Sequence, residues 1–165
     1  MPARAALAAV VLVSLAALSS TGCGIPRDAN DALTNIRQNG VVRAGYTTHD
    51  PWVTGNAGAP SGPEADVVAA FAQSLGARVD WRNGSEAQLF EALERFELDI
   101  VVGGLTADNP SAPTLGVTRP YVEVGKKQHI AAVAPGENRL LMEFERTLRA
   151  HAPAVAARVG GRPVS

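Results

Sequence analysis

Residues able to bind a small polar molecule are concentrated in residues 99–121, which read DIVVGGLTADNPSAPTLGVTRPY. The short β-branched run at residues 100–102 is typical of a buried parallel strand. The polar loop behind it would leave the carboxyl end of that strand, where open α/β sheets bind ligands. Gly104 lets a ligand approach the backbone, and Thr106 offers a hydroxyl group. The pattern predicts a ligand-binding loop.

Catalytic and metal-ligating patterns do not accompany this loop. His49, His129 and His151 lack the spacing of metal ligands, and Cys23 is the only cysteine. The sequence has no Gly-x-Ser-x-Gly motif, no phosphate-binding loop and no Ser-His-Asp arrangement that its spacing supports. Loop polarity explains His49 and Asp50 better than a cation site does. We therefore predict a protein without enzymatic activity, metal or cofactor.

Strand and helix patterns alternate ahead of the loop, in the order β-α-β-α-β. Strands are predicted at residues 41–46, 77–81 and 98–103, and helices at residues 31–38, 63–75, 86–97 and 138–150. This order predicts an α/β fold with three layers, in which an open, mainly parallel sheet of about four to five strands has helices on both faces. Leu93 and Phe144 lie at the centres of apolar helical stripes, so we expect both to be buried, on opposite faces or edges of the sheet.

These segments together resemble family 3 of the bacterial extracytoplasmic solute-binding proteins, the polar amino-acid receptors of ABC importers. The family pattern is Asp, an apolar run, Gly-x-Thr-x-Thr-x-x-Arg, a spacer and Phe-Ser-x-Pro-Tyr. The residues that match it without a gap are Gly104, Thr106, Val117, Thr118, Pro120 and Tyr121. The resemblance covers residues 33–150 and implies one lobe of a periplasmic-binding-protein type II fold. Tyr46 and Trp52 resemble its aromatic loop, although ordinary packing explains them too.

The resemblance implies a set of ligand-binding positions. In the family, the backbone at the Gly104 position and the hydroxyl at the Thr106 position hold the ligand carboxylate, helped by an arginine. The predicted ligand-binding residues are Tyr46, Pro51, Trp52, Glu64, Gly104, Thr106, Asp108 and Ser111. Ser111 stands where the arginine is expected and Asp108 where a second threonine is usual, so the bidentate clamp is lost. Glu64 offers a carboxylate to a ligand ammonium, yet an acid at a helix start needs no ligand to explain it.

The second lobe of the family is missing from the pattern that follows Tyr121. Residues 122–128 run at once into the apolar segment 129–134, so both hinge crossings are predicted to fuse into one hairpin or long strand. The chain would then present an open half-site to a small polar or amino-acid-like metabolite, alongside an ABC transporter. The alternative is an interaction or sensory module of the cell envelope that kept the fold and lost small-molecule binding.

The N-terminal residues have the pattern of an export signal. Arg4 precedes an apolar region, and small residues lead to Cys23, so residues 1–22 are predicted to be a signal peptide. The segment before Cys23 resembles a bacterial lipobox, which implies a lipidated Cys23 and a tether at residues 23–30; simple secretion is the alternative. The lobe would occupy residues 31–151 and a tail residues 152–165. We expect an extracytoplasmic location, in the periplasm or on the outer face of the cell membrane.

The charge of the chain limits its partners. With 15 Lys plus Arg against 16 Asp plus Glu, the formal net charge is −1, and no basic stripe favours nucleic acid. The remaining candidate partners are the small ligand, a transporter permease or other envelope protein, and a second copy of the chain. The membrane would be contacted through the lipid anchor only.

Cys23→Ala is expected to release the protein from membranes into the soluble extracytoplasmic fraction, because the lipid on Cys23 would be its membrane contact. Fractionation of cells that produce the two forms, followed by immunoblotting, measures this. Equal membrane association of both forms would contradict lipid modification.

Overall fold

The computed structural model describes residues 28–55 and 58–164. The predicted signal peptide and Cys23 lie outside these residues. Over the described residues, no helix has the length and apolarity needed to cross a membrane. The elements, in chain order, are α1 Ala32–Asn39, β1 Val41–Tyr46, α2 Pro63–Ser74, β2 Arg78–Asn83, α3 Glu86–Glu94, β3 Ile100–Val102, a 3-10 turn Ala112–Thr114, β4 Gly116–Val117, β5 Val122–Val124, β6 Lys127–His129, β7 Ala132–Val133, α4 Asn138–Val159 and β8 Arg162–Pro163.

A mixed five-stranded sheet forms the centre of the lobe, with strand order β2-β1-β3-β7-β4. Strand β1 pairs in parallel with β2 and β3, while β7 runs antiparallel to β3 and β4. Strand β7 is antiparallel because the chain returns to the sheet through a hairpin rather than through a crossover helix. The predicted α/β fold with a mainly parallel sheet is confirmed.

Alternate residues of β3 belong to the hydrophobic cores on the two faces of the sheet. Ile100 and Val102 pack with α1, α2 and α4, whereas Val101 packs with α3. The inaccessible side chains of Leu93 in α3 and Phe144 in α4 lie in these two different cores. The predicted burial of both residues on opposite faces is therefore confirmed.

Local sequence signals place two acidic residues near the end of the sheet where the parallel strands finish. Pro63 occupies the first turn of α2, where its missing N–H costs nothing. Ser85 begins α3 through a reciprocal capping box with Gln88. Glu64 and Glu86 follow these starts by one residue, so the carboxylates lie at the N-terminal ends of the helices.

The chain after Tyr121 forms a β-hairpin in place of a second lobe. Strands β5 and β6 pair in antiparallel fashion from Val122↔His129 to Val124↔Lys127, with a turn at Gly125. Strand β8 pairs with the other edge of β5 and completes a separate three-stranded sheet. Of the two predicted forms, a hairpin or one long strand, the structure has the hairpin.

Residues 152–164, which we predicted to be a tail, belong to the folded lobe instead. Helix α4 continues past Ala150 to Val159, with Pro153 inside it, and β8 follows. The reason is that Ala152, Val155 and Ala156 extend the apolar stripe of the helix and are buried in the core.

The last residues of the predicted tether are bound to the start of α4. The buried Glu137 carboxylate accepts hydrogen bonds from the backbone N–H groups of Asn30 and Ala32, the latter at 2.9 Å. Burial raises the pKa of Glu137, and the two N–H groups oppose that shift. The Asp28 carboxylate accepts a hydrogen bond from the Arg139 backbone N–H at 2.7 Å. Residues 28–30 are therefore held against the lobe.

Leu93→Ala and Phe144→Ala are each expected to lower the free energy of unfolding by about 2–5 kcal/mol, because each leaves a cavity in a closed core. Urea denaturation of each variant measures the loss. Met142→Ala is the matched control, because Met142 lies on α4 with its side chain 56% exposed, and its cost should stay within about 0.5 kcal/mol. A core loss as small as that of the control would contradict the assigned helix faces.

Candidate functional site

A cleft of about 490 Å³ opens at the carboxyl ends of β1 and β3. This is the end of the sheet where the sequence predicted a ligand-binding loop. The cleft is lined by Thr47, Thr48, His49, Trp52, Glu86, Gly103, Gly104, Leu105, Thr106, Asn109, Val124, Lys127 and His129. Among the described residues, no cluster of three His, Cys, Asp or Glu side chains is arranged to hold a metal ion.

The buried carboxylate of Glu64 lies beneath the two glycines of the cleft. Its Oε2 accepts hydrogen bonds from the backbone N–H of Gly103 at 2.7 Å and of Gly104 at 2.9 Å. Its Oε1 is hydrogen-bonded to the hydroxyl group of Tyr121. Burial raises the pKa of Glu64, and these hydrogen bonds oppose the shift. Burial and the Glu64 charge together raise the pKa of Tyr121, which keeps its hydroxyl protonated.

Gly104 is required by the geometry of the cleft. Its φ of 70° is a left-handed conformation, and a Cβ there would lie 2.6 Å from His49 Nδ1 and 2.7 Å from Trp52 Cδ1. Any side chain at this position would therefore clash with the loop that follows β1. The close approach lets the Gly104 backbone form part of the cleft surface.

An aromatic pair forms one wall of the cleft. The rings of Trp52 and His129 are stacked, with centroids 3.8 Å apart and an interplanar angle of 24°, and Tyr121 meets Trp52 edge-on at 6.5 Å. Trp52 and His129 are each 4% exposed. Burial lowers the pKa of His129, which favours its neutral form, and within the described chain His129 Nδ1 has no hydrogen-bond partner.

Two of the threonine hydroxyl groups that line the cleft form hydrogen bonds within the protein. Thr47 Oγ1 donates to the Gly84 carbonyl at 2.9 Å, and Thr106 Oγ1 donates to the Asp108 carboxylate. This Thr106 hydroxyl is the main cause of the lowered pKa of Asp108. The hydrogen bond keeps the exposed Asp108 carboxylate ionised and orients the Thr106 side chain.

The β5–β6 hairpin supplies another wall of the cleft through Val124, Lys127 and His129. Strand β6 is hydrogen-bonded to the loop that follows β3. The Ala107 N–H donates to the Gln128 carbonyl at 2.9 Å, and the Ile130 N–H donates to the Leu105 carbonyl at 3.0 Å. The segment that takes the place of the second lobe therefore covers one side of the half-site.

Three predicted ligand-binding residues, Trp52, Gly104 and Thr106, line the cleft together. The other five lie outside its lining: Tyr46, Pro51, Glu64, Asp108 and Ser111. Asp108 borders a neighbouring depression that Lys126 and Lys127 also line.

Tyr46, Pro51 and Ser111 occupy three different environments. Tyr46 is completely buried in the core, with its ring 5.8 Å from that of Trp81 in an edge-on contact. Pro51 is exposed on the loop after β1. Ser111 is exposed on the loop after β3, where its N–H donates to Asn109 Oδ1 at 2.9 Å. The ligand-binding roles assigned to them remain predictions.

The cleft also contains residues that the sequence did not single out for ligand binding. Thr47 and Thr48 follow β1 directly and Glu86 starts the helix after β2, so the rule that ligands bind at the carboxyl ends of parallel strands points to all three. No local pattern marks Lys127 or His129, because they reach the cleft only through the folding of the hairpin onto the loop after β3.

Glu64→Gln is expected to preserve the shape of the buried side chain and to remove its titration. Because the pKa of Glu64 is raised in the folded protein, ionisation of Glu64 disfavours folding. The stability of the wild type relative to Glu64→Gln should be greatest below the ordinary carboxyl pKa of 4.5 and fall as the pH rises through the raised value. Urea unfolding of both proteins from about pH 4 to about pH 8 measures this difference.

Glu64→Ala is the companion variant and should cost about 2–4 kcal/mol, because two glycine N–H groups and the Tyr121 hydroxyl lose their acceptor. A stability difference between wild type and Glu64→Gln that does not change with pH would contradict the titration of a buried Glu64.

Curated proteins of one name are similar in sequence to part of this chain. The membrane-bound lytic murein transglycosylase F of Aliivibrio fischeri is 27% identical over 97 residues, which cover 58% of this chain and 20% of that protein. The same-named protein of Photobacterium profundum is 37% identical over 98 residues, which cover 58% of this chain and 18% of that protein. The chain therefore spans about a fifth of the length of these curated relatives.

The fold is also found in a solved single lobe. The crystal structure of the arginine-bound form of domain 1 from TmArgBP matches with a TM-score of 0.64 at 20% identity, covering 70% of this chain and 97% of that one. This likeness shows the shared fold of a single periplasmic-binding-protein domain. The sequence model of the bacterial extracellular solute-binding proteins, family 3, matches residues 42–152, and the chain therefore belongs to that family.

Proposed function

We propose that this chain binds a small zwitterionic, amino-acid-like solute in the cleft at the carboxyl ends of β1 and β3. The observation that carries the proposal is the combination of size and charge in this cleft. Its volume of about 490 Å³ is within the usual range for small-molecule sites, roughly 300–1,000 Å³. One carboxylate, Glu86, and one ammonium group, Lys127, are among its lining residues. A zwitterion would satisfy both charges.

The half-site is preformed rather than closed by a second lobe. Backbone hydrogen bonds fix the hairpin against the loop after β3, so binding needs no large rearrangement. One side of the solute would stay in contact with water, where polar contacts gain little net free energy. We therefore expect a dissociation constant of about 1 mM or weaker for the monomer. A second copy of the chain or a permease docking over the cleft would tighten binding. The single domain described as arginine-bound supports ligand capture by one lobe of this fold.

Membership of an extracellular solute-binding family indicates an extracytoplasmic location. Lipidation of Cys23 would hold the lobe at the membrane surface, where an ABC transporter permease could receive the solute. We propose binding without catalysis. The transglycosylase relatives carry an enzyme name, but this chain covers only about a fifth of their length.

A second candidate function is an interaction or sensory module that no longer binds small molecules. The observation that favours it is the occupation of the Gly103 and Gly104 N–H groups by Glu64, together with the position of Ser111 outside the cleft. The two functions differ in one measurable property, which is the binding of a free solute by the isolated lobe.

Isothermal titration calorimetry of the mature chain carrying Cys23→Ala, against the L-amino acids, should identify at least one ligand. Glu86→Gln should weaken its binding about tenfold, because Glu86 would accept hydrogen bonds from the ligand ammonium. Glu94→Gln is the matched control, since Glu94 lies exposed on the same helix and outside the cleft lining. No binding of any amino acid at about 10 mM would instead favour the interaction module.

A further inference from the structure

We propose that Lys127, carried by the β5–β6 hairpin, binds the carboxylate group of the solute. This inference rests on the proposed function and assigns one end of the zwitterion. Lys127 is the one lysine or arginine among the lining residues of the cleft in the described part of the chain. The segment that takes the place of the second lobe would therefore contribute to recognition as well as covering the site.

The backbone of Lys127 is held firmly in place. It pairs with Val124 across the hairpin, and the next residue, Gln128, accepts a hydrogen bond from the Ala107 N–H at 2.9 Å. Strand β6 is thus bonded to β5 on one edge and to the loop after β3 on the other. A lysine side chain that starts from a fixed backbone position loses less conformational freedom when it binds a ligand.

Several neutral donors of the cleft are already used inside the protein. The N–H groups of Gly103 and Gly104 donate to Glu64. The hydroxyl of Thr47 donates to the Gly84 carbonyl, and the hydroxyl of Thr106 donates to Asp108. A solute carboxylate that entered the cleft would have to break one of these bonds or find another donor. The ammonium group of Lys127 carries three N–H donors and a full charge, which makes it the stronger partner.

The position of Lys127 also explains which end of the solute would lie where. Glu86 contributes the one carboxylate of the lining and is oriented by Asn109, whose side-chain amide donates to Glu86 Oε1 at 2.7 Å. Glu86 starts α3, whereas Lys127 lies on the hairpin, so the two charges belong to separate elements of the cleft. Asp108 is the competing carboxylate, because Lys127 lines its depression as well and helps to keep it ionised.

The test compares probes that differ only in the carboxylate. L-Arginine and agmatine, its decarboxylated counterpart, are titrated into wild type, Lys127→Gln and Lys126→Gln, and each further amino acid bound by the wild type is paired with its own amine. Lys127→Gln should weaken binding of the amino acid about 10- to 100-fold and change binding of the amine less than about twofold. Lys126→Gln, one residue away on the hairpin turn, should leave both unchanged.

The outcomes distinguish a failure of the Lys127 assignment from a failure of the proposed function on which it rests. If Lys127→Gln binds the amino acid as tightly as the wild type, the role of Lys127 is overturned while the proposed function stands. An equal loss for the amino acid and the amine also overturns that role, because it indicates a general disturbance of the cleft. If the wild type binds no amino acid, the proposed function and this inference both fail. Thermal unfolding midpoints of Lys127→Gln and Lys126→Gln within about 2 °C of the wild-type value would confirm that these exposed substitutions leave the fold intact.

Discussion

The buried carboxylate of Glu64 connects the three parts of the chain that build the cleft. It joins the first turn of α2 to the glycines after β3 and to Tyr121 at the start of the hairpin. A carboxylate removed from water is costly unless hydrogen bonds replace its hydration, and here three donors do so. The arrangement holds the floor of the cleft in one geometry. It also uses the backbone N–H groups of Gly103 and Gly104, so the proposed ligand would have to be bound by other groups of the cleft.

The β5–β6 hairpin changes what a single lobe of this fold can do. Two-lobed receptors bury a ligand by closing one lobe over it, and a lobe without that motion depends on preformed contacts. In this chain the hairpin crosses from Tyr121 to Ile130 and forms a wall beside the loop after β3. Strand β8 pairs with the outer edge of β5 and leaves less of the small sheet unpaired. The cleft remains open on one side, which is suited to weak, rapidly exchanging ligands or to a partner that supplies the last wall.

Much of the architecture follows from local patterns. The strand Val41–Tyr46 and the start of α3 at Ser85 agree with their predicted positions, because an apolar run and a capping box act over a few residues. Residues 152–164 were assigned to a tail, but the helix continues through Pro153 to Val159 because its apolar stripe extends to Ala156. The loop that the sequence predicted for ligand binding, which contains Gly104 and Thr106, lines the cleft.

The sequence by itself determined the fold class, the family resemblance and the end of the sheet that carries the cleft, because these depend on periodicity, element order and motif spacing. The tertiary structure decided which side chains meet there. Glu64 is 39 residues from Gly103 and 57 from Tyr121, so no local pattern distinguishes its buried position from that of an ordinary helix-start acid. Lys127 and His129 line the cleft because strand β6 pairs with the loop after β3. Tyr46 does not line the cleft, because its ring packs into the core. Long-range hydrogen bonding and burial, which depend on the whole fold at once, select the residues of the site.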